Sequence, residues 1–150
     1  MTDFFQFEAD FVESLRCIPL LVRMKLDTCG VKLKLNHWHE FTLEEREILV
    51  NKSCSTPSQA QEYGDLLQQL VYQKTGEYAK TLTIDPHPLW QKKEIIPSQI
   101  VEKAQEFDIT IDINKWAELT DLQRFALIKL SRPSHENRNF LPALKEFGLA

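Results

Sequence analysis

"LKLNHWHEFTLEER", residues 33–46, and "ITIDINKWAELTDLQR", residues 109–124, are the stretches that decide the fold. Each leads from an alternating apolar run into a turn holding one tryptophan, then to a threonine suited to start a helix. Trp38 and Trp116 stand 78 positions apart. At that offset residues 18–50 and 96–128 are identical at Ile18/Ile96, Pro19/Pro97, Lys25/Lys103, Asn36/Asn114, Trp38/Trp116, Glu40/Glu118, Thr42/Thr120, Arg46/Arg124 and Leu49/Leu127. That is nine of 33 ungapped pairs, where chance gives about two, and self-similarity at a fixed offset marks repeated units. Apolar pairs such as Val31/Ile109, Leu33/Ile111 and Phe41/Leu119 extend the match.

The matched residues have physical jobs. Pro19 and Pro97 sit where a helix begins, since proline's fixed φ and missing N–H suit the first turn. The first of these helices runs toward Gly30, a good left-handed C-cap, and the second toward Asp108. "VKLKL" and "ITIDI" alternate with the period of a short half-buried strand. Asn36 and Asn114 open the tryptophan turn. Thr42-x-x-Glu45 and Thr120-x-x-Gln123 both fit the capping box, in which hydroxyl and N3 side chain satisfy orphan backbone donors reciprocally.

Between the copies, Pro57 to Lys74 form an amphipathic helix stopped by Gly76, "TLTIDPHPLW" is a proline-broken connector, and Pro142 opens a terminal helix. The expected fold is mainly α. It is a single compact helical domain over 1–150, built from two related helix-extended-turn-helix units, about 18–54 and 96–132, with pseudo-twofold character. The two extended pieces leave room for a minimal two-stranded ribbon.

A chain of 150 residues can bury a core without staples. Its longest apolar run, Cys17 to Val22, is far short of the roughly 20 residues that cross a bilayer. "MTDFFQFEADF" carries acid where a signal peptide carries Lys or Arg, so a cytoplasmic protein with no membrane span is expected. Three cysteines without CxxC spacing suit a reducing compartment. A net charge of -4 argues against a nucleic-acid partner.

Catalytic motifs are missing. Only Gly30, Gly64, Gly76 and Gly148 occur, too far apart for a dinucleotide loop or a P-loop, and no GxSxG elbow exists. "HEFTL" (39–43) and "HENRN" (135–139) begin like the zincin HExxH and lack its second histidine. No enzyme activity, catalytic residue, metal or cofactor is therefore assigned. His37 and His39, at i and i+2, point apart on a helix, and the second copy puts Lys115 and Ala117 there. The histidines are expected to contribute little to stability and to belong to a partner-facing surface.

Trp38 and Trp116 read as paired core anchors, with Thr42 and Thr120 as caps. Glu40 with Arg46, and Glu118 with Arg124, read as structural ion pairs bracing the turn against the capped helix. Arg16, Arg23, Lys25, Lys32 and Lys34 make the first copy basic where the second carries Glu102, Glu106, Asp108 and Asp112. Together with His37 and His39 they are the candidate partner-binding residues. The aromatic cluster Phe4, Phe5, Phe7 and Phe11 reads as core or as an N-terminal tie-down. Of the cysteines, Cys17 and Cys29 read as structural, and Cys54, between Lys52 and "STPS", as the best placed to react.

The run "FQFEADFVESLRCIPLLVRMKLDTCGVKLKLNHWHEFTLEER", residues 5–46, resembles the nitrate reductase associated protein family, found mainly in cyanobacteria. "FEADFVESLRCIP", "VRMKLDTCGVKL" and the "NHW" turn with "LEER" carry the resemblance, and "NKWAELTDLQRFALIKL" agrees with it. The resemblance implies a role in nitrate assimilation, beside a ferredoxin-dependent, molybdenum-containing assimilatory nitrate reductase and the genes for its cofactor. It supplies no catalytic residues to carry over. The expected function is an accessory or maturation factor that makes the reductase active by protein-protein binding. The alternatives are a molybdenum-cofactor or metal carrier and a nitrogen-status regulator in the same pathway. Oligomeric state is not legible in the sequence.

Overall fold

The computed structural model describes residues 4–9, 15–132 and 138–150. Phe11 and the His135-Glu136 pair of the second HExxH-like stretch lie outside the described residues. Among the described residues are eight α-helices and one two-stranded antiparallel sheet, a mainly α fold. The chain divides into two compact units, Met1–Asp85 and Pro86–Ala150.

In the first unit a 3-10 turn, Gln6–Glu8, precedes α1 (Leu20–Cys29), β1 (Val31–Lys32), α2 (Leu35–Glu40), α3 (Leu43–Asn51), α4 (Pro57–Thr75) and β2 (Lys80–Thr81). The second unit has a 3-10 turn, Leu89–Gln91, then α5 (Ser98–Gln105), α6 (Ile113–Glu118), α7 (Asp121–Leu130) and α8 (Phe140–Glu146). α2 and α6 have the same bounds at the 78-residue offset, and α3 and α7 begin at matched residues.

Local chemistry explains the helix ends. Pro19 and Pro97 are N-caps with extended backbone, one residue earlier than their expected place inside the first turn. The first amide of α1 is taken from outside the helix, because Leu20 N–H donates to a carboxylate oxygen of the buried Glu8 at 3.2 Å. This places an anion on the positive end of the helix dipole. Thr42, Thr56 and Thr120 each close a complete capping box, with Glu45, Gln59 and Gln123 as partners. α4 runs from Pro57 at its first position to the left-handed cap Gly76. Pro142 falls inside α8, which starts two residues earlier at Phe140.

β1 pairs with β2, Val31 opposite Thr81 and Lys32 opposite Lys80. The expected ribbon between the two extended pieces is thus replaced by one within the first unit. "ITIDI" is engaged at both ends elsewhere. Ile109 N–H closes onto Ala104 O at 3.1 Å after the left-handed Asp108, and Asp112 is the cap of α6.

α3 and α4 are joined by side-chain contacts at two places. The Tyr63 hydroxyl donates to Leu49 O at 2.6 Å, and Glu45 and Lys74 pair at 3.2 Å. Trp38, Tyr63, Leu49, Leu67 and Val22 are fully buried at the centre of this unit, and Trp116, Arg124, Phe125, Ile100 and Phe140 in the other.

Two glycines give opposite expectations. At Gly30 (φ 74°) an added Cβ would lie 2.8 Å from Ile84 Cγ1 and 3.0 Å from Leu82 O, while its own carbonyl accepts Leu82 N–H at 2.8 Å. Gly64 lies inside α4, where a Cβ would make ordinary contacts at 3.6 to 3.7 Å with Cys29 and Val31. Gly30→Ala is expected to destabilise by about 2 kcal/mol, through left-handed strain plus the clash. Gly64→Ala should stabilise by about 0.5 to 1 kcal/mol, because alanine loses less entropy in a helix. Urea unfolding of both variants checks the pair. The same sign for both would refute the packing described.

Candidate functional site

The tryptophan turns are built alike in each unit. Trp38 Nε1–H donates to Leu15 O at 2.7 Å and Trp116 Nε1–H to Lys92 O at 3.2 Å, with both indoles fully buried. The last carbonyls of such short helices have few intrahelical donors: Trp38 O accepts Phe41 N–H at 3.1 Å and Trp116 O accepts Leu119 N–H at 3.2 Å, which leaves acceptor capacity over. Arginines add further donors. Arg46 donates through Nε to Trp38 O, through Nη1 to Leu15 O and through Nη2 to His39 O, each at 3.1 Å. Arg124 donates to Trp90 O at 2.8 Å, to Trp116 O at 3.3 Å and to Leu119 O at 2.5 Å.

This corrects the expected ion pairs. Glu40 and Glu118 are exposed at the ends of α2 and α6, and neither makes an ion pair with its arginine. Arg124 pairs instead with Asp121 at 2.5 Å. The reason is the guanidinium fork, whose five donors fit several converging carbonyls better than one solvated carboxylate.

The histidines also act locally. His37 Nδ1 accepts Lys34 N–H at 3.2 Å, which caps α2 from within. In the second unit the N-cap itself, Asp112, caps the helix from the other side, accepting Asn114 N–H at 2.8 Å. The two copies thus cap the same helix start by different side chains and through different amides. His39 Nε2 lies 2.9 Å from Arg16 O and ties the turn to the segment before α1. Among the described residues no group of three or more His, Cys, Asp or Glu side chains is arranged to hold a metal ion.

Accepting that bond requires an unprotonated Nδ1, and burial, followed by the charge of Lys34, lowers the His37 pKa from its ordinary 6.5. A histidine held below its unfolded pKa contributes stability that is present above pH 6.5 and lost as pH falls through the folded value. His37→Ala is expected to cost about 0.5 kcal/mol at pH 7.5 and close to nothing at pH 5, while His37→Gln keeps a cap without the pH dependence. Unfolding free energies of the three chains at both pH values test this. A pH-independent difference would exclude the capping role.

The basic patch is smaller than expected. Arg16, Lys32 and Lys34 are exposed and Arg23 is half-buried, but Lys25 is committed to the interior. Its Nζ donates to Val50 O at 2.6 Å and Lys52 O at 2.8 Å, 5.6 Å from the Tyr63 ring centre. There it caps the C-terminus of α3, and burial lowers its pKa. Lys25 is therefore a structural residue, not part of a docking face.

Cys54 is buried, with Sγ 3.7 Å from Lys25 O, and burial pushes its thiol up, so the expected reactivity there is not supported. Burial, with Cys54 nearby, pushes the Cys29 thiol up to about 12. Cys17 is half-buried. Phe5 and Phe7 stack at 5.2 Å.

An open groove of about 550 Å³ lies between α3 and α4, lined by Glu44, Glu47, Ile48, Asn51, Lys52 and Leu66. The sequence reading did not find it. Its signal was present: "LEEREILV" places Leu43, Ile48, Leu49 and Val50 on more faces of α3 than one core can cover. Leu49 and Val50 are buried, and Leu43 and Ile48 are each more than half exposed.

No helix among the described residues is long and apolar enough to cross a membrane. No curated protein and no solved structure matches the chain. The model of the conserved nitrate reductase-associated protein family matches residues 4–147, from the segment that caps α1 to the last helix, and the chain belongs to that family.

Proposed function

We propose that the protein is an accessory or maturation factor for a molybdenum-containing, ferredoxin-dependent assimilatory nitrate reductase, acting in the cytoplasm by protein-protein binding. Family membership over residues 4–147 carries this reading. The surface supports it, because the half-exposed Ile48 in the lining of an open groove offers the apolar contact that docking uses. A carrier role would draw on Cys17, Cys29, Cys54, His37 or His39, and of these Cys29, Cys54, His37 and His39 are engaged in internal contacts. Catalysis forms no part of the reading.

Two measurements test it. Tagged protein from nitrate-grown cells is expected to recover reductase, mature or cofactor-free. Cells lacking the protein are expected to hold reductase with low activity and reduced cofactor content. Failure to recover the enzyme, together with normal activity in the deletion strain, would refute the reading. Fully loaded but inactive reductase would shift the role from insertion to electron transfer.

A further inference from the structure

The groove between α3 and α4 has a chemistry of its own. Ile48, 52% exposed, and Leu66, which rests on the core below, make an aliphatic floor. Glu44, Glu47, Ile48 and Asn51 follow one another at i, i+3, i+4 and i+7, so they form a single stripe along α3. Glu44 and Glu47 are exposed and form no ion pair among the described residues. The cation in the lining, Lys52, already faces Glu62 at 4.0 Å.

The offset partners of Glu47 and Ile48 are Phe125 and Ala126, and there the stripe is closed. Phe125 is 1% exposed with Trp90 edge-on at 6.1 Å, and Ala126 is fully buried. One unit thus covers this part of the helix with its own aromatic side chain. The other leaves it open and lines it with carboxylates.

We infer that the α3–α4 groove docks a basic amphipathic segment of a partner protein. An aliphatic side chain sits between Ile48 and Leu66, and lysines or arginines meet Glu44 and Glu47. The charge decides the occupant. Two unpaired carboxylates beside an apolar floor repel an acidic segment and favour a cationic one, and helix-spaced anchors suit a helix laid in the groove. The inference rests on the protein-binding reading above and assigns it a surface. That surface is acidic and apolar, unlike the basic one the sequence pointed to.

The test uses the full isotope-labelled chain and two synthetic helical peptides, one of leucine and lysine, the other of leucine and glutamate in the same pattern. The lysine peptide is expected to shift the Ile48 and Leu66 methyl resonances and the amides of α3, and the glutamate peptide is not. The double variant Glu44→Gln/Glu47→Gln should bind the lysine peptide about tenfold more weakly, as expected from the loss of two exposed charge pairs. Equal response to both peptides, no response to either, shifts mapping elsewhere, or undiminished affinity of the double variant would overturn the inference. So would self-association abolished by Ile48→Ser, because the occupant would then be a second copy.

A parallel pull-down separates this inference from the reading beneath it. Reductase recovered equally by the natural chain and by the triple variant Glu44→Gln/Glu47→Gln/Ile48→Ser refutes the groove and leaves the accessory role standing. Reductase recovered by neither counts against the accessory role, and the peptide titration then decides the groove alone.

Discussion

Replacing Arg124 with methionine is expected to destabilise the second unit by about 2 to 6 kcal/mol, from two carbonyls stripped of a donor at about 1 to 3 kcal/mol each. The side chain is 1% exposed and holds the carbonyls of Trp90, Trp116 and Leu119 together with the Asp121 carboxylate. Methionine fills much of the volume but donates nothing. Trp116 O keeps the Leu119 N–H at 3.2 Å, but the carbonyls of Trp90 and Leu119 lose the donor that Arg124 gave them, at about 1 to 3 kcal/mol for each buried group left unpaired. Asp121, half exposed, recovers its hydration. Lysine should not rescue, because one ammonium cannot span acceptors that the planar fork reaches together.

Arg46→Met supplies the control. Arg46 makes the same kind of contacts from a half-buried position, where water can replace the lost donors. Its expected effect is about 1 kcal/mol. Urea denaturation followed by tryptophan fluorescence measures both. Equal effects at the two arginines, or a loss below about 1 kcal/mol at Arg124, would contradict burial as the source of the difference.

The contrast between these arginines also shows what a sequence can and cannot disclose. The capping boxes at Thr42 and Thr120 and the left-handed stops at Gly30 and Gly76 were legible from neighbours within about one helical turn, and the burial of both tryptophans from their recurrence at the 78-residue offset. The arginines' acceptors were not. Leu15 lies 31 residues from Arg46 and Trp90 34 residues from Arg124, so the tertiary fold selects the partner, and a nearby glutamate misled the reading. Lys25 likewise looked like surface charge until the end of α3, 25 residues on, was placed over it.

The candidate site divides in the same way. His37 sits where a capping box places its Glu or Gln, three residues after the N-cap, so its role was available from spacing alone. The acidic and apolar spacing of Glu44, Glu47 and Ile48 was also visible. Its meaning depended on what packs over it, since the corresponding stripe of α7 is buried.

Trp38→Ala is expected to destabilise the first unit by about 3 to 5 kcal/mol, because a fully buried indole leaves a cavity that helix ends pinned by arginine cannot close. Trp38→Phe should be much milder than the lost hydrogen bond suggests. Leu15 O accepts from Trp38 Nε1 at 2.7 Å and from Arg46 Nη1 at 3.1 Å, so the carbonyl keeps a donor when the indole N–H goes. The reverse holds for Arg46→Met, where the indole N–H remains. Only the double variant Trp38→Phe/Arg46→Met strips both donors from that carbonyl, and its loss should exceed the sum of the single losses by about 1 kcal/mol. Strict additivity in the double-mutant cycle would mean that the two donors do not back each other up. The tryptophan turn would then be held by packing of the indole against Phe41, at 6.2 Å between ring centres, and by the apolar core beneath it.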